Sequence, residues 1–149
     1  MAPVSPLWNA PMTNVVQVFG YRFSNPEYEI LRFQVRLSEI AKSLGFEIES
    51  WTDELGPTGA MCLRLPTGRV VVLIERQHLI DHYGKKGPYV QVDAAILAEF
   101  GAESLIDEVL TSLGLSDQLV DWRATSEQQQ YATDFMTRAA AHEVEKGTT

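Results

Sequence analysis

The stretch that decides the fold is VVVLIERQHLIDHYGKKG, residues 70–87. Its first five residues are all aliphatic, and a continuous apolar run bounded by turn residues is typical of a strand buried on both faces. We therefore expect a central strand with Val72 at its middle. The polar residues from Glu75 onward could form an active site at the end of this strand, or they could belong to a turn where the chain leaves the core.

Other segments of the chain have the alternation or the flanking turn residues of strands. They are residues 14–23, 46–51, 60–65 and 88–92. A short Pro-Thr-Gly connection, in which Gly68 can adopt positive φ, joins residues 60–65 to the central run. This spacing predicts a hairpin, and hence a sheet that is mostly antiparallel.

A long helix is predicted before these strands, over residues 26–44. Asn25 is a favourable N-cap, Pro26 suits the first helical position and Gly45 suits the C-cap. Apolar residues recur at helical spacing at Ile30, Phe33, Leu37, Ile40, Ala41 and Leu44. Tyr28, Leu31 and Val35 form a second apolar face, so this helix should be sandwiched in the domain or covered by a partner.

The remainder of the chain is predicted to be helical. Asp93 should cap a helix that ends at Gly101, and a second helix should end at Gly114. Residues 116–122 are interpreted as a short helix or turn. The last helix should begin with the capping box Thr125-x-x-Gln128. Its expected inner face consists of Tyr131, Phe135, Ala139 and His142.

Together these elements predict an α+β fold. We expect a small, mostly antiparallel sheet of about four to five strands, with an N-terminal helix and a C-terminal run of three to four helices packed on it. Residues 13–146 should form a single domain. Residues 1–12, with three prolines, should be an extended or mobile arm, and residues 147–149 a disordered tail.

Composition narrows the functional classes. The 149 residues carry a formal net charge of −8, and such a field repels phosphate backbones, so a nucleic-acid partner is not expected. No apolar run approaches the length of a membrane span, and the N-terminal residues lack the pattern of a secretory signal. With Cys62 as the single cysteine, we expect a cytoplasmic protein, monomeric or homodimeric, without cofactors.

One candidate site for chemistry follows the central strand. His78 and His82 are four residues apart, so a helix would place both imidazoles on one side, and Glu75 or Asp81 could supply a carboxylate to a metal ion. The segment HLIDH lacks the glutamate that follows the first histidine in zinc proteases. The competing interpretation is a polar exit from the sheet.

A second candidate rests on a resemblance. In residues 26–76 the predicted order helix, strand, strand, strand resembles the core of the restriction-endonuclease-like nucleases. That resemblance implies Mg²⁺ held by carboxylates among Asp53, Glu54 and Glu75, although Gln77 stands where the family has a lysine. Asp53, Glu75, His78 and His82 would then serve the alternative function, a metal-dependent hydrolase or nuclease-like enzyme.

The absence of a catalytic motif favours a non-enzymatic, protein-binding module. Its predicted contact surface is the acidic group Glu47, Glu49, Asp53 and Glu54 around Trp51, because carboxylates steer a basic partner and tryptophan is favoured at interface hot spots. The expected partner is a basic toxin, neutralised as by an immunity protein or antitoxin, or a secreted effector. A helix followed by three strands in an acidic chain of this length also resembles the type III secretion chaperones.

Overall fold

The computed structural model describes residues 14–54, 56–84, 87–124 and 126–147. These residues form an α+β fold with seven strands and five helices. In chain order the elements are β1 (Val16–Val18), β2 (Glu27–Phe33), α1 (Leu37–Leu44), β3 (Glu49–Asp53), β4 (Gly56–Arg64), β5 (Val70–Arg76), α2 (Gln77–Tyr83), β6 (Tyr89–Asp93), α3 (Ala94–Phe100), α4 (Ala102–Leu113), β7 (Val120–Arg123) and α5 (Ser126–Gly147).

The strands form one antiparallel sheet in the order β1-β4-β5-β6-β2-β7, and β3 pairs with β4 alongside β1. The predicted central strand is confirmed, because β5 lies between β4 and β6. Val72 is fully buried, with Cys62 and Gln91 as its cross-strand neighbours. The sheet has seven strands rather than the expected four to five because two segments that were not read as strands, β2 and β7, join it.

The two faces of the sheet are covered differently. One face carries the larger core, to which α1, α3, α4 and α5 all contribute buried side chains. The opposite face carries a smaller cluster centred on Ala60, Cys62, Val72 and Ile74. Tyr21 and Phe23, from the segment after β1, pack against this second cluster together with Leu79 of α2. This second face of the sheet is therefore covered by the segment after β1 and by the short helix α2, whereas a layer of helices covers the first face.

The prediction of a single helix over residues 26–44 is wrong in its first half. Residues 27–33 form β2, which pairs with β6 and β7, and only residues 37–44 are helical. Ile30, Leu31 and Phe33 are fully buried. The residues of both apolar faces that suggested a sandwiched helix pack into the same larger core, and the bulge that follows Glu29 allows the adjacent Ile30 and Leu31 to be buried there together.

Asn25 consequently caps no helix. Its backbone N–H and its side-chain amide donate to the two carboxylate oxygens of Asp93, at 3.1 and 3.0 Å. The first turn of α1 is instead capped from the sheet, because Glu75 accepts the Leu37 N–H at 2.9 Å and two bonds from the Arg36 guanidinium. The C-cap prediction is confirmed, since Gly45 has a φ of 72°, a conformation that favours glycine.

The C-terminal half departs from expectation at two places. Residues 120–123 form strand β7 after a short 3₁₀ turn, where a short helix or turn was predicted. Among the described side chains of α5, Ala132 is buried and Phe135 packs against the core, whereas Tyr131 is 54% exposed and His142 is also exposed. The expected inner face is therefore confirmed at Phe135 and wrong at Tyr131 and His142. Asp93 does cap α3, accepting the Ala95 N–H at 2.8 Å, while Thr125 lies outside the described residues.

Candidate functional site

The site that the sequence singled out lies on one edge of the sheet. Strands β1 and β3 both pair with the same side of β4, with Val18 opposite Cys62 and Glu49 opposite Ala60. They are thus arranged end to end, and we refer to residues 16–20 and 47–54, which contain β1 and β3, as the composite edge. Among the described residues, no further strand pairs with the outer side of either, so their outward backbone groups remain available for pairing.

Side chains join the two halves of this edge. The Gln17 amide bonds to both backbone groups of Glu47: its oxygen accepts the Glu47 N–H at 3.0 Å, and its nitrogen donates to the Glu47 carbonyl. The Glu49 carboxylate accepts the Gly20 N–H at 3.2 Å. These contacts bridge the gap between β1 and β3, so that two short strands form one continuous border.

The composite edge exposes large apolar side chains. Val16 is 52% exposed and Phe19 59% exposed, and Ile48 is also exposed. Ile48 lies close to β4, since a Cβ on Gly59 would stand 3.1 Å from the Ile48 side chain. Exposed side chains of this size at an open sheet edge are a feature of contact surfaces.

The predicted acidic group divides between exposed and engaged residues. Glu47 and Glu54 are exposed at the two ends of β3. Glu49 is half-buried, and its second carboxylate oxygen is buried without a hydrogen-bond partner among the described residues. Trp51 is half-buried against the second face, and the Arg22 guanidinium lies 5.9 Å from the centroid of its ring. The side chain of Asp53 lies outside the described part of the structure.

A small cavity of about 220 Å³ adjoins β3, and Trp51, Thr58, Glu75 and Gln77 are among its lining residues. Its carboxylate is already engaged, because Glu75 pairs with Arg36 at 2.9 Å and caps α1. Gln77 donates to Asp81 at 2.9 Å. The cavity could therefore receive a side chain against the ring of Trp51, but its carboxylate is not available to bind a charged group.

The histidine pair does lie on a helix. In α2 the ring centroids of His78 and His82 are 4.8 Å apart, and Tyr83 approaches His78 at 5.7 Å. Glu75 does not join them, because its carboxylate is held at the start of α1. Across the described ranges, no three His, Cys, Asp or Glu side chains are placed to hold a metal ion.

The residues of the nuclease-like alternative are separated along the sheet. Glu75 lies in the cross-strand row Ser50–Gly59–Glu75, whereas Asp53 pairs with Gly56, three positions further along β3. Glu75 is also bonded to Arg36. The fold thus brings together His78 and His82 but does not assemble them with Glu75 into a metal site.

The thiol of the single cysteine, Cys62, is buried and unreactive near neutral pH. Cys62 is fully buried on β4, and burial, with a smaller contribution from the nearby Glu49 carboxylate, raises its pKa to about 12. Because the thiolate is the nucleophilic form, a thiol with this pKa is unreactive near neutral pH. The interpretation of Cys62 as a small core residue therefore agrees with its surroundings.

Several arginines form hydrogen bonds, ion pairs or ring contacts with other residues of the chain. Arg76 donates to the Tyr89 hydroxyl at 2.7 Å, and Arg32 lies 5.1 Å from the Tyr89 ring while pairing with Glu29 at 2.9 Å. Burial raises the pKa of Tyr89. Among the described residues eleven acidic and six basic side chains are exposed, so internal use of arginine leaves an acidic surface.

Sequence reasoning missed the opposite edge of the sheet, formed by β7. Trp122 is 38% exposed there, between the exposed side chains of Asp121 and Arg123. The available signal was the alternation in residues 119–123, where Leu119, Val120 and Trp122 are apolar, but the segment is too short for its periodicity to be decisive.

Comparison with known proteins finds no family model, curated protein or solved structure that matches the chain. Within the described part of the chain, no helix has both the length and the apolar character needed to cross a membrane. The functional interpretation therefore rests on the geometry and charge of the surfaces.

Proposed function

We propose that the protein is a non-enzymatic binding module that holds a basic partner protein against the composite edge. As an immunity protein or antitoxin it would neutralise a toxin; as a chaperone-like binder it would hold a secreted effector. The observation that carries the proposal is the coincidence, on one open sheet edge, of exposed carboxylates with exposed apolar side chains.

Charge supports a basic partner. Glu47 and Glu54 are exposed at the ends of β3, and Glu49 lies between them. Carboxylates at the margin of an interface accelerate the encounter with a positively charged protein and disfavour acidic competitors. The excess of exposed acidic over basic side chains adds a long-range component of the same sign.

Shape supports contact along the strand. An open strand can pair with an extended segment of a partner, whose backbone provides affinity while its side chains provide selectivity. Phe19 and Ile48 would supply apolar contact area, and the cavity beside Trp51 could receive one side chain of the partner. We further infer a cytoplasmic setting, in which Cys62 stays reduced.

A charge-reversal experiment tests the surface. Glu47→Lys/Glu54→Lys should slow association with the partner strongly, and added salt should weaken the wild-type complex. Glu103→Lys/Asp107→Lys is the matched control, because it changes net charge equally at exposed positions on α4. The partner is captured from native lysate on immobilised protein, identified by mass spectrometry, and its purified form is used for the rates.

Equal effects of the two double variants would mean that overall charge alone acts and that the composite edge is not the contact surface. Trp51→Ala should act mainly on dissociation, with a cost of about 2 kcal/mol if the ring is a hot spot. Loss of the captured partner's own activity on binding would identify inhibition, whereas capture only of an unfolded partner would identify a chaperone.

A further inference from the structure

The strand β7 forms the second open edge of the sheet. It pairs with β2 on one side, and among the described strands none pairs with its other side. The Ala124 N–H donates to the Ile30 carbonyl at 2.9 Å. Because the direction of backbone groups alternates along a strand, the N–H and C=O of Arg123 point away from β2.

The sequence of β7 is complementary to itself in the antiparallel direction. If two β7 strands pair about a twofold axis beside Trp122, Asp121 of each copy lies opposite Arg123 of the other. The Arg123 guanidinium also pairs with Asp117 of its own chain, so it would then lie between two carboxylates. The two indole rings then face each other across the axis, and one Asp121–Arg123 pair lies on either side of them. Opposite charges directly across an antiparallel pair stabilise it, and an isologous contact of this kind closes as a dimer.

From these features we infer that β7 is a homodimer contact and that its occupant is a second copy of this chain. The order Asp121, Trp122, Arg123 favours a second copy because it complements itself in the antiparallel direction, whereas the composite edge repels a second copy through its carboxylates. The inference is independent of the proposed function. A strand of four residues buries less area than a standard interface, so the dimer should be weak, with a dissociation constant of roughly 0.1 mM.

Charge-swapped variants test this inference with the full chain alone. Asp121→Arg makes both positions basic and Arg123→Asp makes both acidic, so each variant should remain monomeric. Mixed at equal amounts they should form a heterodimer, because every opposing pair is again of opposite sign. Sedimentation equilibrium of each variant and of the mixture measures the masses, and circular dichroism confirms that each variant is folded.

Two results would overturn the inference. One is a wild-type protein that stays monomeric at about 1 mM, where even a weak contact associates; the bulge at Asp121 and the two charges would then serve to protect the edge. The other is a mixture of folded variants that remains monomeric. If Arg123→Asp does not fold, Asp121→Arg/Arg123→Asp preserves complementarity in one chain and should dimerise like the wild type.

A cross-link gives a second measurement. Trp122→Cys would place two thiols across the axis, where the Cβ separation of a facing antiparallel pair permits a disulfide. Since Cys62 is buried, oxidation should link the chains through position 122 alone. Glu103→Cys, exposed on α4, is the control. Equal cross-linking of both variants would contradict a specific contact at β7.

Discussion

The two open edges of the sheet differ in how they are held and in what they present. Side-chain hydrogen bonds from Gln17 and Glu49 tie the composite edge together, and acidic and apolar residues lie along it. The β7 edge is a short bulged strand with one acidic and one basic residue around a tryptophan. Open backbone groups are common to both edges, so side-chain charge decides which partner each can accept.

This difference also concerns the support behind each edge. The composite edge is attached through β4 to β5, and β5 anchors the first turn of α1 through Glu75. The β7 edge is attached through β2, whose own pairing partners are distant in sequence. The first edge should therefore resist local opening more strongly than the second.

The largest effect should come from the strand on which both edges depend. Val72→Asp would bury an unpaired carboxylate at the centre of the sheet and should cost at least about 4 kcal/mol, leaving little soluble folded protein. Val16→Asp introduces the same group at an exposed position of the composite edge and should be tolerated. Thermal melting measures both, and similar melting temperatures would contradict the central place of β5.

The anchor of α1 should give the next largest effect. Glu75→Ala leaves the Leu37 N–H without its acceptor and removes the pair with Arg36, at a cost of about 2 kcal/mol. Glu75→Gln retains one acceptor oxygen and should cost less. Urea unfolding measures both. If both variants were as stable as the wild type, Glu75 would not cap α1.

A smaller effect should distinguish how the edges are held. Gln17→Ala removes the bridge to Glu47 and should cost about 1 kcal/mol. Arg123→Ala removes a surface ion pair with Asp117 and should cost at most about 0.5 kcal/mol. Hydrogen exchange at the Gly20 and Glu47 amides should accelerate in the first variant alone. Acceleration in both would mean that the edges open together.

The smallest effect should be local exposure of Cys62, which lies beneath the composite edge opposite Val18. Its pKa of about 12 lies above the ordinary value of 9.0. The stability that it contributes is therefore fully present below pH 9 and declines as the pH rises towards 12. At pH 8 iodoacetamide should react slowly with the wild type and faster with Gln17→Ala, while Arg123→Ala should match the wild type.

Prediction from sequence succeeded where the signal is local. The run from Val70 marked the central strand, Asp93 marked the start of α3, and Gly45 and Gly114 marked the ends of α1 and α4. It was wrong at residues 27–33, where helical spacing coincided with a bulged strand whose apolar residues all pack into the larger core. At the candidate site Glu47 and Glu54 are exposed and Glu49 is engaged with Gly20, and the role of these residues in partner binding stays a prediction.

By itself the sequence determined the class of the protein: an acidic α+β chain with a buried central strand, helix ends set by aspartate and glycine, and no catalytic motif. These properties follow from composition and from interactions within a few residues. Only the tertiary structure decided that residues 27–33 are a strand, that Glu75 caps a helix and that the sheet has two open edges. Each depends on contacts between residues distant in the chain, and no local pattern encodes them.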